Sequence, residues 1–114
     1  MSMKIISRAN TKIAVVSLVG DPLGESDAQL LRDRIHGVVD GEIRHVVIDL
    51  AGVRHINSAG LGGLISAMCS MVRAGGKTYF AAPGTNVKEA FRITHLDQVF
   101  STFETVEMAI SACT

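Results

Sequence analysis

The feature that most restricts the fold is a continuous apolar run at residues 45–50, which reads HVVIDL. A strand with one face in water alternates apolar and polar residues, whereas this β-branched run predicts a strand that is covered on both faces. Such strands lie in the middle of mostly parallel sheets that carry helices on their faces. The run therefore favours an α/β fold that is organised around a central strand.

The segments before this run predict a hairpin and a helix. Apolar stretches at residues 4–7 and 12–18 flank Asn10-Thr11 and predict two strands that meet in a turn. Ser26 and Gln29 have the spacing of a capping box, so the first helix should begin at Ser26 and end near Gly41. Its apolar face would consist of Ala28, Leu31, Ile35, Val38 and Val39.

The segments after the run continue the alternation of strands and helices. Residues 78–82 and 99–103 predict two more strands. Ser58, Asn86 and Thr105 are positioned to cap three further helices, and Gly75-Gly76 marks the end of the one that begins at Ser58. The apolar stripe of that helix would be Leu61, Leu64, Ile65, Met68 and Val72. The prediction is a single domain over residues 1–114, with a mixed central sheet of about five strands and about four helices.

Charge and hydropathy narrow the classes of partner. Eleven basic residues balance eleven acidic ones, so no electrostatic footprint for nucleic acid or anionic lipid is visible. No apolar run approaches the roughly 20 residues that span a bilayer, and the N-terminal segment lacks the apolar core of a secretion signal. We expect a cytoplasmic protein without membrane insertion or direct nucleic-acid binding. Cys69 and Cys113 are far apart in sequence and are expected to be reduced thiols, with Cys69 buried among apolar residues.

The sequence contains no recognised motif for catalysis or for binding a metal or cofactor. The histidines are scattered, neither cysteine belongs to a CxxC pair, and Ile56 stands where a nucleophile elbow at Ser58 would need glycine. Walker A and dinucleotide-binding spacings are also missing, although a weak nucleotide contact stays open. We therefore expect no catalytic residue, no metal, no cofactor and no enzymatic activity.

The segment at residues 55–63, HINSAGLGG, joins the central strand to the second long helix. Glycine in a helix interior costs about 1 kcal/mol of helix stability relative to alanine. Gly60, Gly62 and Gly63 therefore predict close approach of a loop, a partner protein or a phosphate. Ser58 is the candidate N-cap of the helix, which is one sufficient reason for a serine there. Alternatively, a phosphoryl group on Ser58 would lie where the helix dipole and free amides favour negative charge.

The stretch RHVVIDLAGVRHINSAGLGGL resembles the central motif of STAS domains, in which a buried strand ending in Asp-Leu leads to Asp-Ser-Ser/Thr-Gly-Leu-Gly. The opening hairpin with Gly20, the AGGK turn and the segment FRITHLDQVF are similar to the same family, so nearly the whole chain is covered. The resemblance implies a mixed sheet with helices and, among anti-sigma factor antagonists, binding to an anti-sigma factor that is also a serine kinase. The resemblance further implies that this binding releases a sigma factor, that phosphorylation by the kinase on the first serine of the motif ends the complex, and that a phosphatase restores the complex.

Carried over to this chain, the resemblance places phosphorylation at Ser58 and a partner surface around the start of the helix. The expected partner-binding residues are Gly24, Asn57, Ser58, Ala59, Gly60, Leu61 and Gly62. Asn57 replaces the usual acidic residue, Ala59 replaces the second hydroxyl residue, and Gly24 lies near the position of a loop aspartate. These departures leave an alternative open, in which the chain is an unphosphorylated STAS subunit of a lipid-transport ABC complex or a signalling scaffold.

Overall fold

A computed structural model describes residues 1–113 and shows one sheet of five strands. The strands are β1 (Ser2–Arg8), β2 (Thr11–Gly20), β3 (His45–Val53), β4 (Lys77–Ala81) and β5 (Ser101–Phe103). The helices are α1 (Glu25–Asp40), α2 (Ser58–Arg73), α3 (Thr85–Ile93) and α4 (Val106–Ala112), with a 3₁₀ turn at Leu96–Gln98. The order is β1-β2-β3-β4-β5, antiparallel for the first pair and parallel for the others. The predicted mixed α/β sheet is confirmed, with the HVVIDL run in its central strand.

The core consists of two apolar layers, one on each face of the sheet. Val46, Ile48 and Leu50 of β3 belong to the larger layer, beneath α1, α2 and α3, whereas Val47 belongs to the smaller layer beneath α4. All four side chains are fully buried. The continuous apolar run is therefore explained by burial on both faces, as predicted. No helix within residues 1–113 is both long enough and apolar enough to cross a membrane.

The hairpin turn lies one residue earlier than predicted. Ala9 and Asn10 both have positive φ, 51° and 65°, while Thr11 already pairs with Arg8. Two-residue turns with positive φ match the twist of the strands they join, so the turn fixes the register of β1 on β2. β5 also begins two residues later than predicted, because the backbone amides of Val99 and Phe100 donate to the Leu96 carbonyl of the 3₁₀ turn.

Two helix caps differ from the sequence prediction. Gly24 is the N-cap of α1, and the carboxylate of Asp27 accepts a hydrogen bond from the Gly24 amide at 3.0 Å. The predicted box of Ser26 and Gln29 is wrong, since both residues lie inside the helix. Asn86 does not cap α3, which begins after Gly84. The Thr105 cap of α4 is confirmed by its hydrogen bond from the Met108 amide at 3.1 Å.

The buried face of α2 is rotated relative to the predicted stripe. Leu64 is buried as expected, but Ile65 and Val72 are exposed, and Cys69 is only half-buried. The residues that face the core are Gly60, Gly63, Leu64, Ala67 and Met71. Small residues on this face let α2 lie close against α1 and the sheet, which moves the larger side chains to the flanks. The helix ends at Arg73, just before the predicted glycine pair.

Candidate functional site

The candidate site lies at the carboxyl edge of the sheet, where the loops after β2 and β3 run side by side. Backbone hydrogen bonds extend the pairing of these strands into the loops: Leu23 N to His55 O at 2.9 Å, and Asn57 N to Leu23 O at 3.2 Å. Because the loops are held together, α1 and α2 begin next to each other. A Cβ on Gly24, the N-cap of α1, would lie 3.0 Å from the side-chain nitrogen Nδ2 of Asn57.

Asn57, and not Ser58, is the N-cap of α2. Its backbone is extended, and its Oδ1 accepts a hydrogen bond from the Gly60 amide at 2.9 Å. The prediction that Ser58 caps the helix is therefore wrong, because the preceding asparagine is at least as good a cap. Ser58 is the first helical residue and is exposed. Its hydroxyl is free of the capping role.

Two of the three glycines in this segment are explained by contacts within the chain. A Cβ on Gly60 would lie 2.3 Å from the Leu23 carbonyl oxygen, and one on Gly63 would lie 2.7 Å from the Cβ of Ala28. Gly62 differs, since no heavy atom lies within 4 Å of its added Cβ. The close approach predicted from the glycines is thus made by the β2–α1 loop at Gly60 and by α1 at Gly63. Gly62 leaves open surface instead.

The predicted partner-binding residues fall into two groups. Asn57, Ser58 and Gly62 are exposed, and Ala59 and Leu61 are half-buried, so all five are at least partly accessible at the start of α2. Gly24 and Gly60 are buried. They shape the backbone beneath this surface and offer no side chain to a partner. Contact with a partner at these residues stays a prediction.

The electrostatics at the start of α2 favour an added anion. α2 has 16 residues and no acidic residue in its first turn, so its positive dipole end is not compensated by its own sequence. The first turn of α1 carries Glu25 and Asp27, and the latter carboxylate is held on the Gly24 amide. Asn57 is neutral where related motifs carry an acid. A negative group on Ser58 would therefore meet the positive end of α2 directly.

Sequence reasoning missed a polar cluster around His55, three residues before Ser58. His55 Nδ1 lies 2.7 Å from Asp21 Oδ1, and Asn86 Nδ2 lies 3.0 Å from His55 Nε2 and 3.1 Å from the Arg54 carbonyl oxygen. The hydrogen bond with His55 lowers the pKa of the Asp21 carboxyl, with a smaller contribution from the charge of Arg54. The available signal was positional, because polar residues that follow parallel strands collect at the same edge of a sheet.

Two substitutions at Asn57 separate the effect of losing the helix cap from the effect of adding a negative charge. Asn57→Ala should lower the free energy of unfolding by about 1 kcal/mol, because the Gly60 amide loses its acceptor. Asn57→Asp keeps the acceptor and adds a charge at the positive helix end, typically worth about 0.3–1 kcal/mol, so it should be at least as stable as wild type. Urea unfolding of the three proteins measures both effects. Equal stability of Asn57→Ala and wild type would contradict the assigned cap.

Comparison with known proteins gives the same fold. The family model described as STAS domain matches residues 4–109. TM1081 from Thermotoga maritima is similar with a TM-score of 0.78 and 18% identity, over 96% of this chain and 92% of that one. An anti-sigma factor antagonist from Mycobacterium paratuberculosis is similar with a TM-score of 0.76 and 23% identity, over 97% and 92%.

The phosphorylated form of SpoIIAA, a Bacillus cell fate determinant, is similar with a TM-score of 0.71 and 18% identity, over 99% of this chain and 100% of that one. At these identities the structural likenesses establish the fold. The family model covers nearly the whole chain, and its match agrees with the mixed sheet and the helix order described above. The chain belongs to the STAS domain family.

Proposed function

We propose that this protein is an anti-sigma factor antagonist that binds an anti-sigma factor with serine kinase activity and thereby frees a sigma factor. Phosphorylation of Ser58 by that kinase ends the complex, and a phosphatase restores it. The protein acts by binding and is itself the substrate of these enzymes. Binding to the anti-sigma factor requires no cofactor, metal or catalytic residue of this protein, and the complex forms in the cytoplasm.

The observation that carries this proposal is that Asn57 caps α2 while Ser58, the next residue, is exposed. The Asn57 side chain caps α2, so the exposed Ser58 hydroxyl is available to a kinase without loss of the cap. A phosphoryl group there adds a charge of about −1.5 to −2 at the positive end of the helix dipole. We therefore expect the fold to accommodate the modification, so that the added charge alters the proposed partner surface.

The shape of the surface around Ser58 supports a protein partner. Leu61 is half-buried, and Gly62 is exposed and presents no side chain, so neither residue adds a large exposed side chain to the start of α2. A kinase must bring its own loops close to the acceptor oxygen, and a bare helix surface permits that approach. The phosphorylated form of SpoIIAA, which has a similar fold, agrees with a phosphorylatable STAS domain.

The proposal is tested by incubating the protein with ATP and the anti-sigma factor kinase that co-purifies with it from native extract. Intact mass should increase by one phosphate, and peptide mapping should place that phosphate on Ser58. Ser58→Ala should gain none. Ser26→Ala is the matched control, because Ser26 is also exposed and lies in the first turn of the neighbouring helix α1. It should be phosphorylated as wild type is.

Two results would contradict the proposal. One is a stable complex whose composition and mass do not respond to ATP, which is the behaviour of a transporter subunit or a signalling scaffold. The other is a phosphate that maps to a residue other than Ser58. Either result would leave the STAS fold intact but remove the regulatory role of this serine.

A further inference from the structure

The hydrogen-bonded side chains of Asp21, His55 and Asn86 join two loops and the start of a helix at the carboxyl edge of the sheet. Asp21 belongs to the loop after β2, His55 to the loop after β3, and Asn86 to the start of α3. The His55 imidazole lies between the other two side chains, at 2.7 Å from Asp21 and 3.0 Å from Asn86. Asn86 also holds the backbone carbonyl of Arg54, the residue before His55, at 3.1 Å.

The chemistry of the partners permits one arrangement of protons for a neutral imidazole. A backbone carbonyl only accepts hydrogen bonds, so Asn86 must present its NH₂ group to the Arg54 oxygen. The same NH₂ group faces His55 Nε2, which must then be the unprotonated, accepting nitrogen. Nδ1 therefore carries the proton and donates it to the Asp21 carboxylate, which also only accepts.

We propose that His55 is a positioning residue for Ser58: its imidazole, whose Nδ1–H donates to Asp21, fixes the loop at residues 54–57 that presents the serine hydroxyl. Only two residues separate His55 from Ser58, and one of them is the cap Asn57. Asp21 and Asn86 hold the imidazole from two sides. The backbone N–H of Asn57 donates a hydrogen bond to the Leu23 carbonyl. The role in phosphorylation rests on the function proposed above, whereas the role in fixing the loop does not.

The first test is the protonation state of His55 in the purified protein. Long-range ¹H–¹⁵N spectra of the histidine rings, recorded at a pH where the His55 ring is neutral, should show it predominantly protonated at Nδ1 and bare at Nε2. Asn86→Asp places an acceptor opposite Nε2 and should add a proton there at the same pH. A His55 ring that is mainly protonated at Nε2 in wild type, or that does not respond to Asn86→Asp, would overturn the assignment.

The second test is the order of the loop. In His55→Ala, amide hydrogen exchange at Asn57 should accelerate at least tenfold, while amides of the buried strand β3 keep their wild-type rates. The thermal midpoint should stay within a few degrees of wild type, because His55 is exposed and surface substitutions usually change stability little. Unchanged exchange at Asn57 would overturn the positioning role.

The third test is phosphorylation kinetics with the kinase. His55→Ala and Asn86→Ala should each lower kcat about tenfold with KM within about threefold, because a misplaced acceptor slows transfer more than binding. The double variant should lose no more than either single one, since both act through one chain of hydrogen bonds. His36→Ala is the control, because His36 is exposed on α1 outside this chain of hydrogen bonds, and it should behave as wild type.

The failures of the two proposals are distinguishable. If wild type is not phosphorylated at all, the proposed function fails, while the exchange and ring spectra still decide whether His55 fixes the loop. If wild type is phosphorylated and His55→Ala reacts with the same kcat, the positioning of Ser58 by His55 is overturned and the proposed function stands.

Discussion

Ser58→Asp is expected to bind the anti-sigma factor kinase at least about 100-fold more weakly than wild type, whereas Ser58→Ala should bind within about threefold. A 100-fold loss corresponds to about 2.7 kcal/mol. An unpaired charge forced into an interface costs several kcal/mol, which is enough, and the loss of a hydroxyl hydrogen bond is typically only about 0.5–1.5 kcal/mol. The effect therefore depends on charge, because Asn57 keeps the helix cap in both variants.

Titration calorimetry with the purified partner measures these affinities. Ser26→Asp adds the same charge to the exposed first turn of α1 and serves as the control for a general effect of acidic residues near this corner. It should weaken binding much less than Ser58→Asp. Equal affinities for Ser58→Ala and Ser58→Asp would contradict a charge-based switch at this position.

Gly60→Ala should be strongly destabilising, with a loss of about 3 kcal/mol and a fall in the thermal midpoint of about 10 °C or more. The added Cβ would lie 2.3 Å from the Leu23 carbonyl oxygen and 2.8 Å from Ile56 Cγ1. The nearest atom belongs to the backbone, so relief requires the β2–α1 loop to move away from α2. That movement would also break the Asn57 N to Leu23 O hydrogen bond that joins the loops.

Gly62→Ala is the matched control, two residues further along the same helix. Its Cβ meets no heavy atom within 4 Å, so the substitution should raise stability by up to about 1 kcal/mol through helix propensity alone. Thermal unfolding of both variants by circular dichroism measures the difference. A Gly60→Ala protein that is as stable as Gly62→Ala would show that the β2–α1 loop does not pack closely against α2 at Gly60.

The architecture was predictable because its strongest signals are local and repeated. The HVVIDL run identified a strand buried on both faces, and the structure places Val46 and Val47 in opposite core layers. The apolar spacing of α1 was equally clear, and Leu31, Ile35 and Val38 are buried as expected. These features depend on the period of the pattern, which tertiary contacts do not alter.

The details of the site were less predictable because they depend on contacts between distant segments. Serine, asparagine and glycine are all good helix caps, so sequence alone could not decide between Asn57 and Ser58, or between Gly24 and Ser26. The buried face of α2 rotated because Gly60 and Gly63 contact the β2–α1 loop and α1, which no local pattern records. The partnership of His55 with Asp21 and Asn86 joins residues more than 30 positions apart.

The most direct test of the central claim compares one preparation of the protein in two states, before and after stoichiometric phosphorylation of Ser58. Titrated against the anti-sigma factor, the phosphorylated form should bind at least about 100-fold more weakly, a difference of about 2.7 kcal/mol, and phosphatase treatment should restore the original affinity. Equal affinity of the two forms would show that the state of Ser58 does not control the complex.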